Sequence, residues 1–165
     1  GVCLYDGILW DHEMKELLKG FKKGVDILIL SDTCHSEGNM RLMSSQDTPE
    51  EPFKTRFLKL EDIPKAVREN QVLVVEDKST GIKANVIAIS GCKEDESSYD
   101  AFLDGAWGGY FSVSFTKTVK ANPAFNYFMA YRVMVKAMNK YPQNPVFQVV
   151  NGKARSFTYK TVLSN

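Results

Sequence analysis

Residues 27–39 read ILILSDTCHSEGN, an apolar run that stops abruptly at polar residues and carries a thiol, Cys34, just past its end. Four consecutive large aliphatic residues, Ile27 to Leu30, suit a strand buried on both faces, as in a parallel sheet covered by helices. Such a strand lifts the residues after it to the sheet edge. Alternation along an extended chain puts Asp32 and Cys34 on one face and His35 on the other. Upstream, WDHEMKELLKGFKK is amphipathic: a helix is predicted over about Asp11 to Lys23, with Asp11 as N-cap and Met14, Leu17, Leu18 and Phe21 on one face. Gly24 is the expected stop, Val25 to Ser31 the first long strand, and Leu4 and Tyr5 start a short extended piece before the helix. Ala84 to Ser90 repeats the buried-strand pattern and ends at Gly91 and Cys92. A helix feeding an apolar strand, followed by a second such strand, is the pattern of an α/β domain with a mostly parallel sheet.

The chain of 165 residues is 44% hydrophobic and 25% charged, enough for a sizeable core and one domain over residues 1–165. Its formal net charge of +1, without basic tracts or interleaved aromatic and basic residues, argues against a nucleic-acid partner. No apolar run reaches the length of a membrane span, so no membrane partner is expected. Three cysteines, Cys3, Cys34 and Cys92, lack metal-ligand spacing and favour free thiols in a reducing, cytoplasmic compartment. Cys92 reads as core packing, and Cys3 receives no role.

Between the two strands lies a polar stretch with Pro49 and Pro52, expected to form a loop over the sheet edge, then a short helix near Glu61 to Asn70. Residues 71–81 could continue that helix or form a peripheral strand. Later, Phe111, Phe115 and Val119 share a helix face, and Asn122-Pro123 reads as the start of a further helix reaching Tyr141. In it Phe125, Phe128, Met129, Val133 and Met134 recur at helical spacing as core cover. A short strand is expected around Val146 to Val150, and Trp10 and Trp107 read as loop anchors against the sheet.

The ILILSDTCHS segment resembles the nucleophile segment of caspase-like cysteine peptidases, metacaspases and orthocaspases in particular, whose pattern is an apolar strand, Asp, any residue, Cys, His, Ser, Gly. The stretch SGCKEDESSYDAFLDGAWGGYFSVSFTKTV resembles the segment that forms the S1 wall in the same clan, and Glu96-Ser97-Ser98-Tyr99 is similar to the asparaginyl endopeptidases that share the fold. The resemblance implies a caspase-like three-layer α/β sandwich, of which this chain supplies the later strands and helices. It also implies a cysteine endopeptidase with Cys34 as nucleophile and Asp32 at the floor of an S1 pocket for Arg or Lys. Ser97, Ser98 and Asp100, or an acid of the KEDE run at 93–96, would line that pocket. Asp100 stands where caspases carry an arginine, so an acidic P1 residue would be repelled.

The family takes its general base from a Ser-Gly-His-Gly segment ahead of the cysteine, and none occurs here. Of the two histidines, His35 faces away from Cys34 and His12 belongs to the first helix. A thiol nucleophile needs an imidazole within hydrogen-bond reach. The expected partner is therefore an N-terminal fragment of the same peptidase carrying the histidine and the first strands, and activation by internal cleavage fits the clan. Glu37 replaces the glycine that follows Cys-His-Ser in the family, with Gly38 one place later. The sequence itself requires no cofactor; calcium is a candidate by resemblance only. The competing reading is a catalytically inactive caspase-like scaffold or binding module, and a third is an unrelated α/β protein in which the cysteine motif is coincidence.

Overall fold

A computed structural model of the chain describes residues 2–3, 7–33, 53–56, 81–93, 96–103, 105–139, 143–150 and 155–162. Among these, a two-stranded ribbon pairs β1 (Val2–Cys3) with β2 (Ile8–Leu9). The central sheet has the order β3 (Asp26–Ser31), β5 (Asn85–Ser90), β8 (Val146–Val149), and a second sheet has the order β4 (Phe53–Arg56), β6 (Ser98–Leu103), β7 (Ala106–Gly109). The helices are α1 (Asp11–Lys19), α2 (Tyr110–Ala121), α3 (Tyr127–Ala137) and the single turn α4 (Arg155–Thr158).

The two apolar runs form strands where expected. β3 and β5 pair in parallel, Ile27 opposite Val86 and Ile29 opposite Ala88, while β8 joins the other side of β5 antiparallel. Alternation sends Ile27, Ile29 and Val86 to a cluster with Leu18 and Met14 of α1, and sends Leu28, Ile87 and Ile89 to the opposite face. There Phe111, Phe115 and Val119 of α2 meet Ala130 and Met134 of α3, with Met138 just beyond it, and Phe157 of α4 covers Ile87. The sheet thus lies between helical layers, an α/β/α arrangement.

Several local expectations need correction. Trp10, not Asp11, is the N-cap of α1; its N–H donates to Glu13 Oε2 at 2.9 Å, so Glu13 takes the capping role. The helix closes at Gly20, whose N–H reaches Leu17 O and Leu18 O, and not at Lys23; Gly24, at φ 91°, makes the turn into β3. Asn122-Pro123 does not open the next helix: Asn122 caps the end of α2, and α3 starts after Asn126, whose side chain accepts the Met129 N–H at 2.8 Å. Ala130 and Met134, with Met138 just past the helix end, are buried, while Met129 and Val133 are exposed rather than core cover. Trp107 lies in β7 rather than in a loop, edge to face with Phe102 at 5.8 Å between ring centres. The helix expected at 61–70 and the segment 71–80 lie outside the described residues. No described helix is long and apolar enough to cross a membrane.

At the amino end of β3, Asp26 accepts a hydrogen bond from Lys160 Nζ and another from Asn85 Nδ2 at 2.7 Å, tying the C-terminal segment to both parallel strands. The Lys160 bond, aided by Asn85 and opposed by partial burial, holds the Asp26 carboxyl below its ordinary value of 3.8. A carboxylate with a depressed folded value stabilises fully above its unfolded value and loses that contribution as pH falls through the folded one. In an NMR titration Asp26 is expected to titrate below 3.8 and Lys160→Ala to move it back up. The matching stability loss should be small, about 1 kcal/mol or less for a pair open to water.

Candidate functional site

The carboxyl ends of parallel strands are where α/β sheets place their ligand sites, because strands end there, helices begin, and the intervening loops are free to vary. Here β3 and β5 end together: the Gly91 N–H donates to Ser31 O at 2.7 Å, extending the ladder by one bond past both strands. Asp32 and Thr33 leave β3 at this edge, and Gly91 and Cys92 leave β5. The antiparallel β8 begins at the same edge, so the segment before it, with Gln143, arrives there too.

Asp32 is the meeting point. Its Oδ1 accepts the Ser98 hydroxyl at 2.5 Å and its Oδ2 accepts the Ser112 N–H at 3.0 Å. Ser98 is the first residue of β6, and Ser112 is the third of α2, where backbone N–H groups lack intrahelical partners and the helix favours negative charge. One carboxylate therefore joins the end of β3, the start of β6 and the N-terminus of α2. Hydrogen bonds to a charged group are worth about 1.5–3 kcal/mol each. Asp32 is itself only partly buried.

A fully enclosed layer lies behind it. Ser98 has no exposed surface and Gln143 is 3% exposed. Gln143 Nε2 donates to Gly91 O at 2.8 Å and to Ser98 Oγ at 3.2 Å, while its Oε1 accepts the Tyr99 N–H at 3.3 Å. Gly91 packs closely here: a Cβ there would meet Gln143 Nε2 at 3.0 Å, Asp32 Oδ1 at 3.1 Å and Phe111 Cβ at 3.1 Å. Cys92 is a buried thiol directed at Thr33 O at 3.7 Å, which fits the core role read from sequence.

Of the residues singled out in the sequence, Asp32 and Ser98 are brought into direct contact. Ser98 does so from within the core, with its hydroxyl engaged by Asp32 and Gln143. Ser97 precedes it, partly exposed, and Asp100 follows two residues on, on the same face of β6, opposite Gly109 of β7, with Oδ1 buried. Glu96 of the KEDE run instead accepts from Asn144 N at 3.0 Å and Asn144 Nδ2 at 2.6 Å, clamping the segment before β8. Cys34, His35, Glu37, Gly38, Glu94 and Asp95 lie outside the described residues. Gln143, Gly91 and the Ser112 N–H were not read from sequence. Among the described residues no group of three or more His, Cys, Asp or Glu could hold a metal ion. A shallow cavity of about 320 Å³ lined by Phe128, Phe147, Val149, Thr158 and Tyr159 holds none of the Asp32 partners.

Comparison with known proteins agrees with the α/β fold. The family model described as the caspase domain matches residues 2–154. Metacaspase-1 of Schizosaccharomyces pombe is 36% identical over 63 residues, which cover 38% of this chain and 15% of that protein. A crystal structure of a Geobacter sulfurreducens protein superposes with a TM-score of 0.71 at 24% identity, covering 97% of this chain and 60% of that one. The chain thus spans less than two thirds of the length of either relative.

Gly91→Ala is expected to push the side chains of Asp32, Gln143 and Phe111 apart, lowering stability by about 1–3 kcal/mol as overpacking does. Thermal or urea unfolding checks it.

Proposed function

The chain belongs to the caspase-domain family, and we propose that it is the cysteine-bearing part of a thiol endopeptidase that cleaves after Arg or Lys. The observation that carries this reading is the Asp32 carboxylate, fixed at the carboxyl edge of the parallel strands two residues before Cys34. A carboxylate oriented by two donors reorganises little when a cation arrives, and charge-assisted bonds to a guanidinium strengthen where water is excluded. Asp100, on the same strand face as Ser98, and the partly exposed Ser97 are assigned to the wall of the same pocket.

In the proposed reaction, a histidine takes the Cys34 proton, and the thiolate attacks the carbonyl carbon of the basic residue. The C–N bond breaks as the imidazolium protonates the leaving amine, and water hydrolyses the thioester. The Cys34 N–H is one donor to the oxyanion. The histidine is assigned to an upstream segment of the same protein. Among the described residues β3 pairs on one side only, although its ILIL sequence suits an interior strand and Leu30 is 46% exposed, so a further strand has a place beside it. Internal cleavage as the activating step, a cytoplasmic location and a supporting role for calcium belong to this reading as well.

The test uses the full-length protein with an Arg-directed chloromethyl ketone and intact mass spectrometry. Native protein should gain one adduct, at Cys34, and Cys34→Ala should gain none. Asp32→Asn should lower kcat/KM on an Arg substrate on the order of 100-fold, since removing one partner of a buried charge pair costs about 2–5 kcal/mol. A native Cys34 that stays unmodified while denatured protein reacts would favour the scaffold reading instead.

A further inference from the structure

We propose that Gln143 is a positioning residue for substrate selection, acting on Asp32 through Ser98. This rests on the reading of Asp32 as the carboxylate that receives a basic side chain. The inference follows from the direction of each hydrogen bond. The Gln143 amide can adopt one orientation only, because Nε2 faces the Gly91 carbonyl at 2.8 Å and Oε1 faces the Tyr99 N–H at 3.3 Å; turned over, oxygen would oppose oxygen and N–H would oppose N–H. The second Nε2 hydrogen then points at Ser98 Oγ, 3.2 Å away. Ser98 thereby receives a hydrogen bond from Gln143, and its single proton goes to Asp32 Oδ1 at 2.5 Å.

Without Gln143 the Ser98 Oγ would lose the donor that fixes its position, and the bond it gives to Oδ1 would be less sharply directed. The Ser112 N–H would still hold Oδ2, but Oδ1 would be less tightly placed. Gln143 is itself held in place by the residues that follow it. Asn144, next in the chain, is clamped by Glu96, and the Tyr131 hydroxyl donates to Pro145 O at 2.9 Å. The position of α3, which carries Tyr131, is thus transmitted to the floor of the site. Networks of this kind act as a unit, so their members should not contribute independently.

The experiment compares full-length wild type with Gln143→Met, which keeps length and volume but has no N–H donor, and with Gln143→Glu, which can still accept from Tyr99. Ser98→Ala and the Ser98→Ala/Gln143→Met double variant complete the set. Each is assayed on matched Arg and uncharged P1 substrates, and Cys34 alkylation by iodoacetamide reports the nucleophile separately. Both Gln143 variants should raise KM for the Arg substrate by roughly 10- to 100-fold, the scale of a 1 Å misplacement, with little change in kcat or in the alkylation rate. Ser98→Ala should match them, and the double variant should be no worse than either single one. An unchanged Arg preference in Gln143→Met, or in Ser98→Ala should the Gln143 variants not fold, overturns the proposal, as does equal loss of kcat and alkylation. If Asp32→Asn keeps full Arg preference, the reading of Asp32 itself has failed; if it loses that preference while Gln143→Met keeps it, only the positioning role has.

Discussion

Everything at the working edge of this domain depends on where the Asp32 carboxylate directs its two oxygens. A sheet edge is a poor place to fix a side chain, because strands end there and loops begin. Asp32 is fixed because its neighbours supply donors that have no better acceptor: an N–H in the first turn of α2 and a serine hydroxyl polarised from behind. Without it, the start of α2 would leave a helix N–H unanswered and the buried serine would lose its acceptor. The proposed functional role and a structural one thus fall on a single group, at the junction of three elements.

The polar junction persists because an apolar core encloses it. Phe111 stands between the two: its Cβ would touch any side chain added at Gly91, and its ring, fully buried, packs with Phe115 in the core shared by α2, α3 and Ile89. Register in the helical layer therefore sets how far the Ser112 N–H stands from Asp32. The hairpin of β6 and β7 is coupled to the same core through Ala101, so Ser98 cannot shift without disturbing packing several residues away. Specificity at such a site is a matter of rigid placement more than of net charge.

Much of this was legible in the sequence where a periodic signal existed. ILIL and NVIAIS announced the parallel pair, and the spacing of Phe111, Phe115 and Val119 announced the buried face of α2. Asp32 was legible from alternation and from the resemblance its segment carries. Helix ends were less so: the choice between Trp10 and Asp11, or between Asn122 and Asn126, is decided by which side chain reaches a free N–H, and several candidates stood close together. Exposure on α3 was misread because Met129 and Val133 each lie one position, about 100° around the helix, from the buried Ala130 and Met134, and spacing alone does not say which of two adjoining apolar faces meets the core. Gln143 was not legible at all. A glutamine in a Pro-Gln-Asn-Pro sequence carries no periodicity, and its partners at 91, 98 and 99 lie more than forty residues away in the chain.

The most direct test is a crystal structure of the full-length protein alkylated at Cys34 by an Arg-directed ketone. The guanidinium is expected within about 3 Å of the Asp32 carboxylate, the distance of charge-assisted hydrogen bonds. The bonds from Ser98 and the Ser112 N–H should remain in place. A guanidinium lodged elsewhere, with Asp32 shielded behind its structural partners, would contradict the account and leave the carboxylate as a helix cap alone.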